Sequence, residues 1–457
     1  KPYIFKASKY GKKFTNLTTK NIRGYALSVV QDHVDENLLF LGTELGLYAS
    51  TDGGDEWFKY DQDVPTVSVM DMAIQQREND LVLGTHGRSV IVIDDYSPLR
   101  GLSEKSFEQE LKLLSVGDGQ QYVSHRAPST RFWGDAAYVG DNEVYGVTIN
   151  VMASGDHLAH PDKDKEKARQ IAKAAEEAKK AKAKKDDDKK SDKEEKKLSD
   201  KARITVKDVN GEVVRTFVTK LKQGVNRIVW SLESDGDGRW PGQEPKEDKD
   251  IKPAGPEVVP GTYTIHVKLN DKEFETTANV LKDPRFKDVT ASDMKARYDL
   301  EHQVVGLYST LTKAVHALTD SKKDIEVIKG LADKALEGVT DDKDEHPASK
   351  LSKSAGELIK KIGELDKNLR SIPKTKGIVD ETYKVTSHVY MAWGYVGGRY
   401  GKPSPTAELY LEKAKIELGK GVGKVNEFIE QDLNEFKKQY QDSGLGLLST
   451  SKPITLN

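Results

Sequence analysis

The 457 residues are more than one ordinary hydrophobic core accommodates, so the length predicts two to four domains. Lys plus Arg (72) nearly balances Asp plus Glu (74), and a formal net charge of -2 gives no global case for nucleic-acid binding. The absence of cysteine excludes disulfides, thiol nucleophiles and Cys-ligated zinc, and no stretch approaches the roughly 18 apolar residues of a membrane helix.

The opening residues, KPYIFKASKYGKKF, lack an initiating Met and read as strand from inside a domain. The expectation is that they belong to the downstream part of a longer or cleaved polypeptide. A repeat follows. ENLLFLGTELG, from Glu36, and ENDLVLGTHGR, from Glu78, place Leu41, Gly42 and Thr43 and then Leu83, Gly84 and Thr85 at the same positions, 42 residues apart. A period of that length built from short strands is the spacing of propeller blades, four strands to a blade. Ser8 precedes Ser50 by the same 42 residues, and Phe14 stands near the place of Trp57, which makes a third, worn copy.

Between two strand-like ends lies LYASTDGGDEWFKY, residues 47 to 60. In it Asp52 can accept hydrogen bonds from turn amides, Gly53 and Gly54 permit positive φ or close packing, and Trp57 can pin a hairpin between neighbouring strands. A catalytic role for Asp52 is the alternative to this scaffold role. Ser50, Asp52, Gly53, Gly54 and Trp57 together resemble the Asp-box, the S-x-D-x-G-x-x-W turn of sialidase-like and sortilin-like propellers, where the box is structural and peripheral. The stretch LGTHGRSVIVIDDYSPL, residues 83 to 99, with His86 and Arg88 about a tight turn, resembles the last-blade motif of bacterial sortilin-type (VPS10-type) propeller proteins with BNR repeats, some labelled glycosyl hydrolases. His86 and Arg88 either tie blades together or contact a ligand or partner. The two and a half visible blades cannot close a ring, so the others must come from a preceding segment or another chain.

From about residue 116 the pattern changes to alternating strands at 142–151, 202–218, 224–232 and 261–280, with hairpin turns at Asn210-Gly211 and Asn270-Asp271. This predicts a β-sandwich of fibronectin type III-like character over residues 116–286. VRTF, GVNRIVW with Trp230, and VPGTYT resemble the domain that follows the propeller in the same bacterial family. An insertion at about 156–200 interrupts it; residues 161–200 hold 15 basic and 12 acidic residues and no aromatic. Its Ala, Lys and Glu content predicts a protruding helix or helical hairpin over 165–185, with Glu176 and Lys180 one turn apart. His157 and His160, beside Asp156 and Asp162, have the composition of a metal cluster but no element to hold them, and Asp235 with Asp237 only faintly resembles a calcium loop; no metal and no cofactor is expected.

Helix dominates residues 287–445, before a tail at 446–457. Thr290 and Asp293 form a capped start, and Met294, Tyr298, Val305, Tyr308, Leu311, Val315 and Leu318 share one side. Leu351, Ala355, Leu358, Ile362, Leu365, Leu369 and Ile372 make a heptad stripe, and Leu411, Ala414, Leu418, Val425, Ile429 and Phe436 a complementary face after Ser404-Pro405. An antiparallel helical bundle is predicted. Between the stripes, HVYMAWGYVGGRYGKPSP gathers Tyr390, Trp393, Tyr395 and Tyr400 around Gly394, Gly397, Gly398 and Arg399. These residues either anchor a partner, for which Trp, Tyr and Arg are suited, or pack the bundle.

The fold expected is therefore multidomain, β plus α: the final blades of a propeller (1–115), a sandwich and a helical bundle. The resemblance implies a non-catalytic protein- or peptide-binding and assembly protein, secreted, periplasmic or on the bacterial cell surface. Its partners would be a protein or peptide, among them the N-terminal portion of the same protein as a separate chain, or a larger envelope complex. The second reading is a sialidase-like glycoside hydrolase. That chemistry requires a carboxylate pair or a tyrosine nucleophile with arginines. Asp71, Asp94 and Asp95 are isolated acids, so the catalytic groups would lie in upstream blades.

Overall fold

The computed structural model describes residues 2–61, 64–124, 144–186, 198–236, 251–337, 346–370 and 381–445. The chain is mixed β and α and divides into two compact units. One comprises Lys1–Gln120, Gly134–Ser231 and Thr262–Leu281; the other comprises Gln121–Trp133, Leu232–Gly261 and Lys282–Asn457.

The first unit begins with three antiparallel sheets. Strands β1 (Phe5–Ser8) and β2 (Lys13–Asn16) form a hairpin. Strands β3 (Ala26–Gln31), β4 (Leu39–Thr43), β5 (Gly46–Ser50) and β6 (Phe58–Tyr60) form a four-stranded meander. Strands β7 (Ser68–Gln75), β8 (Asp80–His86) and β9 (Val90–Ile93) repeat its first three strands, with β7 starting 42 residues after β3.

The meander is covered on both faces, which explains why its central strands are nearly continuous runs of buried residues rather than alternating ones. Phe40, Leu47 and Ala49 pack with Val69, Met72, Leu81 and Leu83 of the following sheet. On the opposite face Leu41, Tyr48 and Trp57 pack with Ile4 and Leu17 of the hairpin. The Leu-Gly-Thr repeat is the code for this stacking. Leu41 and Leu83 each face the preceding sheet. Gly42 faces the following one, where a Cβ would stand 2.7 Å from the Val69 carbonyl oxygen and 2.4 Å from Ser28 Oγ. Its equivalent, Gly84, meets nothing closer than 3.6 Å, because no described sheet lies beyond it. Thr43 and Thr85 do the same job in the two turns, donating from Oγ1 to the Gly46 and Ser89 carbonyl oxygens at 2.9 and 2.6 Å.

The rest of the unit is two further sheets. A three-stranded one has the order β10 (Leu111–Val116), β12 (Val147–Ala153), β15 (Gly224–Trp230). The other has five strands in the order β11 (Gly119–Gln120), β19 (Lys272–Leu281), β18 (Gly261–Leu269), β13 (Lys201–Lys207), β14 (Val213–Lys220). Burial alternates along β13 and β18, placing Ile204, Val206, Ile265 and Val267 inside. Trp230 stands edge-on to Tyr263 at 5.1 Å between centroids. The predicted hairpin turns are present: Gly211 has φ +82° and Asn270 φ +54°. The insertion carries helix α1 (Lys163–Asp186), exposed through residue 175 apart from partial cover at Glu166 and Arg169. The side chains of Glu176 and Lys180 lie outside the described residues.

The second unit is mainly helical: α2 (Ala291–Ala335), α3 (Pro347–Leu369), α4 (Val385–Gly397), α5 (Pro405–Glu427) and α6 (Asn434–Asp442), the last two joined by one π-helical segment, Phe428–Leu433. Thr290 caps α2 reciprocally with Asp293, as its sequence predicts. The apolar stripes read from the sequence make the core: Leu311, Val315 and Leu318 of α2 pack with Leu351, Ala355 and Ile362 of α3 and with Leu411, Ala414 and Leu418 of α5. Ile372, Asp237 and the tail lie outside the described residues. A short hairpin of β16 (Glu233–Asp235) and β17 (Ala254–Glu257) packs with α2. No helix among the described residues is long and apolar enough to cross a membrane.

Candidate functional site

The turn between β5 and β6 is built as its sequence suggests. Asp52 Oδ1 accepts from Ser50 Oγ at 2.7 Å, both carboxylate oxygens lie 3.1 Å from the Glu56 amide, and Ser50 Oγ accepts from the Gly54 amide at 2.9 Å. Gly53 and Gly54 have φ of +77° and +98°, and a Cβ on Gly54 would meet Leu17 Cδ1 at 2.7 Å. Trp57, buried against the hairpin, donates from Nε1 to the Leu17 carbonyl oxygen at 3.0 Å. Burial opposes ionisation of Asp52, but the Ser50 hydroxyl and the amides of Glu56, Gly54 and Asp55 outweigh it and hold the carboxyl below its usual range. A carboxylate committed in this way closes the turn, and Trp57 fastens that turn to the neighbouring hairpin. Asp52→Ala should cost about 1 kcal/mol of stability, the scale of a lost hydrogen-bonded acceptor at an exposed turn, read as a lower urea midpoint.

At the same end of the stack is a cluster that the sequence reading missed. Asp32, from the β3–β4 connection, is buried, and Arg100, beyond β9, grips it with two bonds: Nε to Oδ2 and Nη2 to Oδ1, each 2.8 Å. The Tyr96 hydroxyl donates to Oδ1 at 2.5 Å, the amides of Val34 and Asp35 donate to Oδ2 at 3.2 and 2.7 Å, and His33 Nδ1 lies 3.4 Å from Oδ1. Arg100 also donates to Asn79 Oδ1 at 2.7 Å. Burial alone would raise the Asp32 carboxyl; its bonds to Arg100, Tyr96 and Asp35 reverse this and hold it well below the usual carboxylate range. Burial and the Asp32 charge push the Tyr96 phenol up, so it stays protonated as a donor. That is the opposite of what a tyrosine nucleophile needs.

His86 and Arg88 stand exposed at the β8–β9 turn, where Gly87 has φ +89° and Ser89 +59°. Neither makes a hydrogen bond or ion pair among the described residues. The tie between sheets expected of them is made instead by Asp32 and Arg100 at the other end of the strands. Of the isolated acids, Asp71 accepts from the Met72 amide at 2.9 Å, Asp95 accepts from Ser97 Oγ at 2.5 Å, and Asp94 is exposed. His157 and His160 turn to different neighbours: His157 Nε2 lies 3.3 Å from Asn270 Nδ2, and His160 Nδ1 accepts from the Asp162 amide at 3.0 Å. No group of three or more metal-ligating side chains forms among the described residues.

In the second unit the aromatic stretch is divided between packing and exposure. Trp393 packs on the helical core. Tyr400 accepts from the Asp283 amide at 2.9 Å and donates to Gln121 Oε1 at 3.1 Å. Tyr395 is exposed and stacks on Tyr410 with 4.1 Å between centroids, Lys413 standing 5.2 Å over the Tyr410 ring. Arg399 is exposed and makes no hydrogen bond or ion pair among the described residues. Near Tyr400 lies a charged triad with no sequence motif behind it. Arg297 of α2 donates from Nε to Glu301 Oε1 at 2.9 Å, and its Nη2 is 3.6 Å from Glu257 Oε2 on β17. Burial, against the attraction of Arg297 and with the repulsion of Glu301, pushes Glu257 up to about 7; burial likewise raises Glu301.

Comparison of the chain with family models, with curated proteins and with solved structures finds no match.

Proposed function

We propose that the chain is a non-catalytic binding and assembly module of a bacterial cell envelope, its first 115 or so residues being the final blades of a sortilin-like propeller. The observation that carries this reading is the stacking repeat: Leu41 and Leu83 each face the sheet before, and Gly42 faces the sheet after. The Asp-box acid is spent on its own turn and the Asp32 carboxylate on holding that stack. The two sheets that follow, with Trp230 against Tyr263, suit a fibronectin type III-like sandwich, which together with the bundle would set the propeller in a larger surface complex. Exposed His86 and Arg88 at one end of the stack, and Arg399 beside the stacked Tyr395 on α4 and its exit turn, are the side chains that would meet a protein or peptide.

A sialidase-like hydrolase is the competing reading, and a panel of aryl glycosides separates the two. The protein is expected to give no turnover above buffer. Turnover abolished by Asp71→Asn or Asp94→Asn would overturn the assembly reading.

A further inference from the structure

The hairpin β1–β2 occupies the place of strands three and four of the repeat, since Ser8 matches Ser50 and Phe14 falls near Trp57. Among the described residues nothing stands in the places of strands one and two of that sheet, and two independent features mark where they would lie. The first is the free edge of β1. Leu17 donates its amide to the Ile4 carbonyl at 2.9 Å, so Ile4 and Leu17 are a hydrogen-bonded pair. By antiparallel alternation in the register Phe5↔Asn16, Lys6↔Thr15, Ala7↔Phe14, the next such pair is Lys6 with Thr15, and Phe5 and Ala7 turn their amides and carbonyls away from β2. The second feature is the uncovered part of the meander's hairpin-facing side. Leu41 and Tyr48 on that side are buried, whereas Val29, paired with Leu41 in register, is 55% exposed. An unpaired strand edge beside an apolar strip is the geometry of strand addition, in which main-chain bonds hold the incoming strand and alternate side chains fill the strip.

We infer that β1 receives a two-stranded antiparallel hairpin of the same 42-residue repeat, carried on polypeptide other than these 457 residues, with an apolar side chain seated on Val29. The inference rests on the stacked-blade reading above. The complete meander supplies the template: in the incoming hairpin the strand next to β1 stands for β4, and the outer one, lying over β3, stands for β3 of the preceding repeat. Two strands suffice to complete four, and their inner face is apolar for the same reason that Phe40 and Leu41 are.

The test grafts a second copy of residues 24–44 directly ahead of Tyr3, the position that the 42-residue offset assigns to it, in the full chain. Amide hydrogen exchange at Phe5 and Ala7 should slow at least about tenfold against a control carrying a Gly/Ser segment of equal length. Ala7→Pro removes an outward amide without touching a β1–β2 bond. It should cancel the protection at Phe5 in the graft and leave the unfolding midpoint of the ungrafted chain where it is. Exchange in the graft equal to that of the Gly/Ser control would overturn the inference, as would an ungrafted chain that sediments as a dimer with Phe5 and Ala7 already protected. If β8 amides such as Leu83 stay protected in those cases, only the docking inference falls. If they exchange freely, the stacked-sheet reading itself is lost.

Discussion

Asp32→Ala should lose about 3 to 5 kcal/mol of stability, the cost of breaking a buried ion pair from one side. The loss is large because Asp32 answers five donors at once: two nitrogens of Arg100, the Tyr96 hydroxyl and the amides of Val34 and Asp35. Without it the Arg100 guanidinium keeps Asn79 but loses its counter-charge, and the Tyr96 hydroxyl loses the carboxylate that accepts from it, beside Phe40, whose ring the Tyr96 ring meets edge-on at 5.0 Å. Tyr96→Phe removes a single bond to a charged group and should cost about 1.5 to 3 kcal/mol. Urea unfolding read by the fluorescence of Trp57, which sits in the same stack, measures both. Because the carboxylate is out of solvent, 1 M salt should change the difference little. A cost below about 1 kcal/mol for Asp32→Ala would mean that the sheets are held by their apolar faces alone.

The contrast between that pair and the Leu-Gly-Thr repeat shows which part of the molecule is legible in its sequence. Periodicity records what faces a core. Leu41 and Leu83 announce themselves by recurrence, and the helical stripes through Leu351 and Leu411 by their spacing of three and four. The turn at Asp52 is equally legible, because all its partners lie within a few residues. Asp32 and Arg100 are 68 residues apart and belong to no local pattern; they meet only because the third sheet stacks on the second. Arg297 and Glu257 face each other in the same way, across a helix and a strand. His86 and Arg88 mislead for a related reason. A Gly-flanked turn marks a change of chain direction, but whether its side chains find partners depends on what is packed beyond it, and among the described residues nothing is.

The second large effect is a dependence of stability on pH that runs opposite to ordinary acid denaturation. A carboxyl raised from 4.5 to about 7 by folding binds its proton more tightly in the folded chain than in the unfolded one. Its contribution is therefore fully present below about pH 4.5 and is lost as pH rises through 7. A shift of that size corresponds to about 3 kcal/mol between the two limits. Glu301, also raised, acts in the same direction. His302, lowered first by burial, acts against it: its contribution is present above its unfolded value of 6.5 and lost as pH falls through its folded one. Asp32 and Asp283, held far down by their arginines, do not titrate in this window. The isosteric change Glu257→Gln isolates the group, because Arg297 keeps its bond to Glu301. Followed by helical circular dichroism in urea, the variant should match the parent near pH 5 and exceed it by up to about 3 kcal/mol at pH 8, since the parent must then hold a buried carboxylate beside Glu301. Parallel curves for parent and variant from pH 5 to 8 would show that Glu257 ionises in the folded chain as freely as in water, and that the triad is solvated rather than buried.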